Sequence, residues 1–404
     1  MKGANLHTEL KGYLRQDGRK GIRNHLAVVY LVECAHHVAR EIAMPYREQG
    51  VHVLGFSGCY PNDYSQRMLG QLCTHPNVGA VLLISLGCEG FDRMQLQQTV
   101  AASGRPVELI HIQNAGGTRK SIDQGRAWVD QALTTLEKQD TVPMGVDELI
   151  VGTICGGSDS TSGITANPSI GCAFDRLVSS GAAVMFEETG ELIGCEDIMA
   201  SRAKTPVLAQ EILGCIEKAA RYYTVMGHGS FAPGNAEGGL TTQEEKSLGA
   251  YVKSGESEIS GILKPGDVPT QGGLYLLDVI PDGEVRFGFP NINDNAEIAE
   301  LIACGSHVIL FATARGSVVG SVISPVIKVC ANPETFARME EDMDVDAGRI
   351  LAGVDSTSTV GDEIHDLVLE VANGAQTVSE QLGHQEFVLT YKSFEPIGPG
   401  CFPA

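Results

Sequence analysis

Short unbroken apolar runs recur along the first part of the chain, each followed by a segment with apolar residues every three or four positions. His25 to Val32, Val51 to Phe56, Val78 to Leu86 and Val107 to Ile112 read as strands, and Ala35 to Gln49, Tyr64 to Thr74 and Lys120 to Lys138 as amphipathic helices. The run Ala80-Val-Leu-Leu-Ile-Ser85 is apolar up to its last residue, the mark of a strand covered on both faces. Strand alternating with helix predicts a mostly parallel sheet flanked by helices.

Apolar periodicity fades from Glu137 to Asp147, which divides an N-terminal unit, 1–140, from a C-terminal unit, 148–404. The second unit restarts the rhythm with strands at Leu149 to Ile154 and Ala182 to Glu187. Leu274 to Ile280, His307 to Thr313 and Phe387 to Tyr391 read as further strands, and Asn295 to Cys304, Pro333 to Glu341 and Asp362 to Ala372 as helices. Between them, residues 227–270 are glycine-rich, polar and weakly periodic, and a connection of that length in a compact protein is usually functional. The expected fold class is α/β: two Rossmann-like units with mostly parallel sheets, joined by a glycine-rich functional segment.

Composition narrows the partners. The 404 residues are 43% hydrophobic and 20% charged, as in a globular protein, with 48 glycines for tight loops at strand ends. The net charge of −21 argues against nucleic acid and against docking to anionic membranes. It leaves room for a small anionic substrate held by local basic residues such as Arg15, Arg19, Lys20 and Arg23. The start, Met1 to His7, lacks the apolar core of a secretory leader, and no apolar stretch is long enough to span a membrane. Eleven cysteines without disulfide-type spacing then suit the reducing cytoplasm, where thiols are free, metal-bound or catalytic.

The densest chemistry is Cys155-Gly-Gly-Ser-Asp-Ser-Thr-Ser-Gly-Ile-Thr-Ala-Asn-Pro168, between a strand and a helix starting near Pro168. Ligands of open α/β sheets collect outside the carboxyl ends of strands. A loop there offers backbone N–H groups and hydroxyls to an anionic, oxygen-rich ligand. Cys59 and Cys88 follow two other strands, each beside glycine. Three thiolates from separate loops suit a metal, or three irons of a [4Fe–4S] cluster with the fourth iron open. Buried cysteines that merely fill space fit the same spacing. In Pro233 to Gly249, Asn235, Thr241 and Thr242 offer polar groups, and Lys246 suits a general base if desolvated, with Glu244 to orient it. Ordinary charges at an exposed helix start are the alternative. Arg315, after the strand His307 to Thr313, suits a bidentate grip on a carboxylate or sulfonate, with Lys328 nearby in sequence.

Gly12 to Asn24, His75-Pro-Asn-Val-Gly-Ala-Val81, Gly87-Cys-Glu89, Cys155 to Pro168, Pro233 to Gly249 and Arg315-Gly316 together resemble, in order, the motifs of the altronate/galactarate dehydratase family. The resemblance covers nearly the whole chain. It implies an iron-dependent lyase (Fe2+ or a cluster) acting on a sugar acid. A sulfolactate sulfo-lyase branch, which expels sulfite from a sulfonated hydroxy acid, is the close alternative, and a non-catalytic sugar-acid-binding or scaffold subunit is the alternative of another class. Single-chain altronate dehydratases carry a small extra domain before the opening motif, which here begins within the first residues, so the resemblance implies a large subunit with a separately encoded small partner. A homo-oligomer is also expected. Phe56 replaces a histidine found in some sugar-acid members, and Ser317-Val-Val-Gly320 replaces their Thr-Pro.

On this resemblance Cys59, Cys88 and Cys155 are the expected metal ligands and Lys246 the base that removes the C2 proton, with His307 second and Glu244 as orienter. Arg315, Asn167, Ser158 and Thr165 would hold substrate oxygens, with Asn235, Thr241, Thr242 and Lys328 near them and Asp159 as ligand or support.

Overall fold

The apolar runs become strands almost where the pattern puts them. The computed structural model describes residues 9–227, 233–285 and 293–392. The start Met1 to His7, the end of the C-terminal unit and 228–232 of the glycine-rich segment lie outside the described residues. In chain order the strands are β1 (Leu10–Leu14), β2 (Lys20–Gly21), β3 (His25–Tyr30), β4 (Val51–Gly55), β5 (Val78–Ser85), β6 (Val107–His111) and β7 (Val142–Met144). They continue as β8 (Ile150–Cys155), β9 (Ala183–Phe186), β10 (Ile259–Leu263), β11 (Gly273–Leu277), β12 (Val308–Thr313), β13 (Val326–Cys330) and β14 (Val345–Asp346).

Two parallel sheets dominate. The first has strand order β4-β3-β5-β6 and the second β10-β11-β9-β8-β12-β13-β14. A small antiparallel sheet, β2-β1-β7, joins the chain start to residues 142–144, so the segment expected to be a plain linker carries a strand. All eight residues of β5 are buried, which explains its lack of polar alternation.

Helices cover the sheets. Glu33–Ala43 and Thr118–Leu136 line the outer face of the first sheet, and Ala166–Ser179 and Thr357–Ala372 pack together over one face of the second. The remaining two faces share one apolar core. Leu54, Phe56, Met68 and Leu83 from the N-terminal half join Ile154, Met185, Leu301 and Phe311 from the C-terminal half in it. Polar groups pin the junction too. Asn77 accepts from Ile22 N and donates to the Ile323 carbonyl, and Arg23 makes a two-bond pair with Glu380.

Two local expectations change. Phe387 to Tyr391 is not a strand: Phe387 and Tyr391 pack against the shared core, and the Tyr391 hydroxyl donates to the Tyr60 carbonyl. Within 227–270 the described residues form helices at Pro233–Glu237 and Gln243–Ala250, a 3-10 turn at Tyr251–Ser254, and β10. No helix among the described residues is long and apolar enough to cross a membrane.

Candidate functional site

Register builds the site. Thr153 of β8 pairs with Phe186 of β9, and side chains two residues further on share a face of the sheet. Cys155 and Glu188 therefore meet at the carboxyl ends of the two strands, and the Cys155 N–H donates to Glu188 Oε2 at 3.0 Å. Glu188 has φ 74°, the only non-glycine residue with positive φ among the described residues. That left-handed conformation costs about 1–2 kcal/mol in an L-residue, and such strain concentrates at functional sites. It starts the 3-10 turn Thr189–Leu192, which carries Glu191 back over the thiol. The Cys155 Sγ lies 3.1 and 3.2 Å from the two Glu191 oxygens.

Two lysines close the group from the other side. Helix Gln243–Ala250 starts at Thr242, whose side chain accepts from Glu245 N, and the following turn Tyr251–Ser254 brings in Lys253. The segment docks through close backbone contact: a Cβ on Gly163 would sit 2.6 Å from Gly249 Cα. Asn167 Nδ2 also donates to the Gly249 carbonyl at 2.7 Å. Lys246 Nζ then pairs with Glu191 Oε1. Lys253 Nζ lies 2.7 Å from Glu191 Oε2, 2.5 Å from Glu188 Oε2 and 3.4 Å from Cys155 Sγ.

Burial sets the protonation pattern. It pushes the Cys155 thiol well up, and the charges of Glu188 and Glu191 add to this. Burial and the neighbouring Glu191 push Glu188 up to about 7, against the pull of Lys253. Burial works in the same sense on Glu191, but Lys246 and Lys253 outweigh it and hold this carboxylate below its ordinary range. Burial disfavours the ammonium of Lys246, yet Glu191, Cys155 and Glu188 together raise it above its ordinary value. The result is a neutral thiol, a Glu188 carboxyl poised between its two forms near pH 7, and an ionised Glu191 paired with two ammonium groups.

Cys155, Glu188 and Glu191 place ligand atoms within 4.8 Å of one another, the one such group of three among the described residues. A thiol and two carboxylates form a mixed soft and hard donor set of the kind that suits a divalent transition metal. Cys59 and Cys88 are exposed at the first sheet, on loops joined by Gly90 N donating to the Cys59 carbonyl at 2.8 Å; neither belongs to this group.

The other expected residues divide. Ser158 is buried, with its Oγ 3.9 Å from Cys155 Sγ. Asn167 keeps a buried Oδ1 without a partner. Asn235 is buried on helix Pro233–Glu237, and Arg315 reaches the same helix through the Gly234 carbonyl and Glu237. Asp159 is spent on Thr161 and Asn332, and Thr165 on the carbonyls of Thr161 and Ala331. Thr241 and Thr242 are exposed and serve the helix start.

Three expectations are corrected. Glu244 is exposed on the first turn of its helix, and Glu191 is the carboxylate that holds Lys246. His307 lies at the amino end of β12, opposite the cluster, and both its ring nitrogens are engaged by backbone: Ile150 N donates to Nδ1 at 3.0 Å, and Nε2 lies 2.9 Å from the Lys20 carbonyl. Lys328 is buried mid-strand in β13, 3.3 Å from His384 Nδ1, where alternation places it on the face of Val326, away from the Cys155 side. Glu188, Glu191 and Lys253 went unmarked in the sequence. The signal for the first two was the acid-rich Glu187-Glu188-Thr-Gly-Glu191 directly after a strand.

A family model for D-galactarate/altronate dehydratase, C-terminal, matches residues 146–394, and one for D-galactarate dehydratase/altronate hydrolase, second domain, matches residues 12–137. The (2R)-sulfolactate sulfo-lyase subunit beta of Chromohalobacter salexigens is 33% identical over 396 residues, 94% of this chain and 96% of that protein. Altronate dehydratase of Escherichia coli is 28% identical over 397 residues, 94% of this chain and 77% of that protein. Galactarate dehydratase (L-threo-forming) of Escherichia coli is 31% identical over 329 residues, 78% of this chain and 61% of that protein.

Proposed function

Because this chain belongs to the D-galactarate/altronate dehydratase family, we propose that it is a lyase that eliminates water from a sugar acid or related 2-hydroxy acid to give a 2-oxo acid. The observation that carries this reading to a site is the buried convergence of Cys155, Glu188, Glu191, Lys246 and Lys253 at the carboxyl ends of β8 and β9.

In the proposed reaction a base removes the C2 proton, the C3 substituent leaves, and the enol becomes the 2-oxo acid. Lys246 is the proposed base: with Glu191 drawn away, burial favours loss of its own proton to solvent, and the neutral Nζ then takes the C2 proton. Arg315, Asn167 and Ser158 are proposed to orient the acid, Asn167 through its open Oδ1 to a substrate hydroxyl. Cys155, Glu188 and Glu191 would hold the metal; we favour a single Fe2+, because two carboxylates are unlike the thiolate set of an iron–sulfur cluster. A divalent ion there would act as a Lewis acid on substrate oxygens next to C2.

A second reading, elimination of sulfite from a 3-sulfolactate, is favoured by the 33% identity to the sulfo-lyase subunit over nearly all of both chains. That protein is named as a subunit, and under either reading we propose a separately encoded small partner.

The test is an assay of aldonates, aldarates and 3-sulfolactate for 2-oxo acid and sulfite, after anaerobic purification and metal analysis, with and without a small partner. A 2-oxo acid without sulfite supports the first reading, and sulfite release the second. No turnover of any of them, with metal bound, would refute both.

A further inference from the structure

All three candidate ligands are already engaged by ammonium groups. Lys246 Nζ takes Glu191 Oε1. Lys253 Nζ takes Glu191 Oε2 and Glu188 Oε2 and reaches Cys155 Sγ. The lysines are 9% and 1% exposed, so water screens neither. A divalent cation seated on the same atoms would add two positive charges within ion-pair distance of both, at a site where repulsion is far stronger than in bulk water. Such a cation and the two ammonium groups compete for the same lone pairs.

The two lysines are also held differently. Lys246 has one carboxylate within ion-pair distance, whereas Lys253 bridges two and the thiol. They enter on neighbouring turns of one segment, which packs over the Glu191 turn with Gln243 Nε2 donating to the Gly190 carbonyl at 3.4 Å. Displacement therefore needs only flexible side-chain stems to swing, with no change in the sheet.

We propose that Lys246 and Lys253 are counter-ions that compete with a divalent cation for Cys155, Glu188 and Glu191, so that metal loading releases both lysines from the carboxylates. This rests on the reading of Cys155, Glu188 and Glu191 as metal-holding residues. It makes the lysines determinants of metal affinity: they pair with the carboxyl groups of Glu188 and Glu191 and raise the threshold for loading. It also ties release of the proposed base to the arrival of the metal.

The experiment is calorimetric titration of the metal-stripped full chain with Mn2+, comparing wild type, Lys253→Met, Lys246→Gln and Glu191→Gln. Removing either competing cation should tighten Mn2+ binding by roughly tenfold or more, and Glu191→Gln should abolish it. A second measurement needs no variant: reductive methylation of wild type, mapped by mass spectrometry, should modify Lys246 faster with Mn2+ than without. It carries the test if the lysine variants fail to fold. Equal or weaker Mn2+ binding in folded lysine variants, or unchanged methylation of Lys246 on loading, would overturn the counter-ion role while Glu191→Gln still locates the metal. Binding unaffected by Glu191→Gln, or none in any variant, would instead remove the metal group itself and this inference with it.

Discussion

His307 gives a quantitative test of the placement that removes it from the chemistry. It is 3% exposed and bonded at both ring nitrogens to backbone. Burial lowers it from 6.5 to about 4. Between those values the unfolded chain binds a proton that the folded chain refuses, so stability is full above pH 6.5 and is lost as pH falls toward 4. At pH 5.0 the shift corresponds to about 2 kcal/mol, and at pH 7.5 to almost nothing. His25 and His75 are lowered in the same direction by burial, so the wild-type slope alone assigns nothing to one residue. The comparison must be with His307→Gln, which cannot titrate. Its hydrogen-bond loss costs about 1–3 kcal/mol at any pH. Urea unfolding of both proteins at pH 7.5 and 5.0 should show the wild-type advantage shrinking by about 2 kcal/mol at the lower pH. An advantage that stays constant would refute the reasoning, and a loss of turnover in folded His307→Gln beyond about tenfold would return His307 to the list of bases.

Glu191→Gln should lower turnover by about 100-fold or more, as expected for loss of a group serving a general base, while exposed Glu244→Gln stays within about twofold; steady-state kinetics on both decides between them. Metal analysis of single serine variants should find content lost in Cys155→Ser and kept in Cys59→Ser and Cys88→Ser. Gly163→Ala should lower thermal stability by about 1–3 kcal/mol, because its new methyl would meet Gly249 Cα at 2.6 Å. Glu380→Ala, which leaves Arg23 without its two-bond partner, should lower the urea midpoint by about 1–3 kcal/mol of stability.

β3, β5, β8, β9, β11 and β12 were legible because they are buried along most of their length, which leaves a near-continuous apolar run in the sequence. β10, half-buried along its middle, β13, interrupted by Lys328, and the two-residue β14 were not read as strands. Phe387 to Tyr391 was misleading for a related reason. Its run Phe-Val-Leu-Thr-Tyr is apolar and β-prone like a strand, yet its apolar residues serve as wedges against the shared core. At the site, Cys155 was legible because it ends a strand and opens a glycine-rich loop, and Lys246 because it sits in a motif. The same polarity rule would have set His307 aside, since it precedes its strand, and face alternation would have turned Lys328 away from Cys155. What no local pattern carries is pairing at a distance. Lys253 meets Cys155 across 98 residues, and only sheet register and the Gly163–Gly249 contact bring them together.

The core common to both sheets also governs how a substrate gets in. Rocking the halves apart would wet Phe56, Ile154 and Leu301, at about 1.5–3 kcal/mol for each side chain exposed. Opening the two halves against each other is therefore costly. Residues 233–254 contribute nothing to that core, so lifting this short strap, which carries Lys246, would leave it dry.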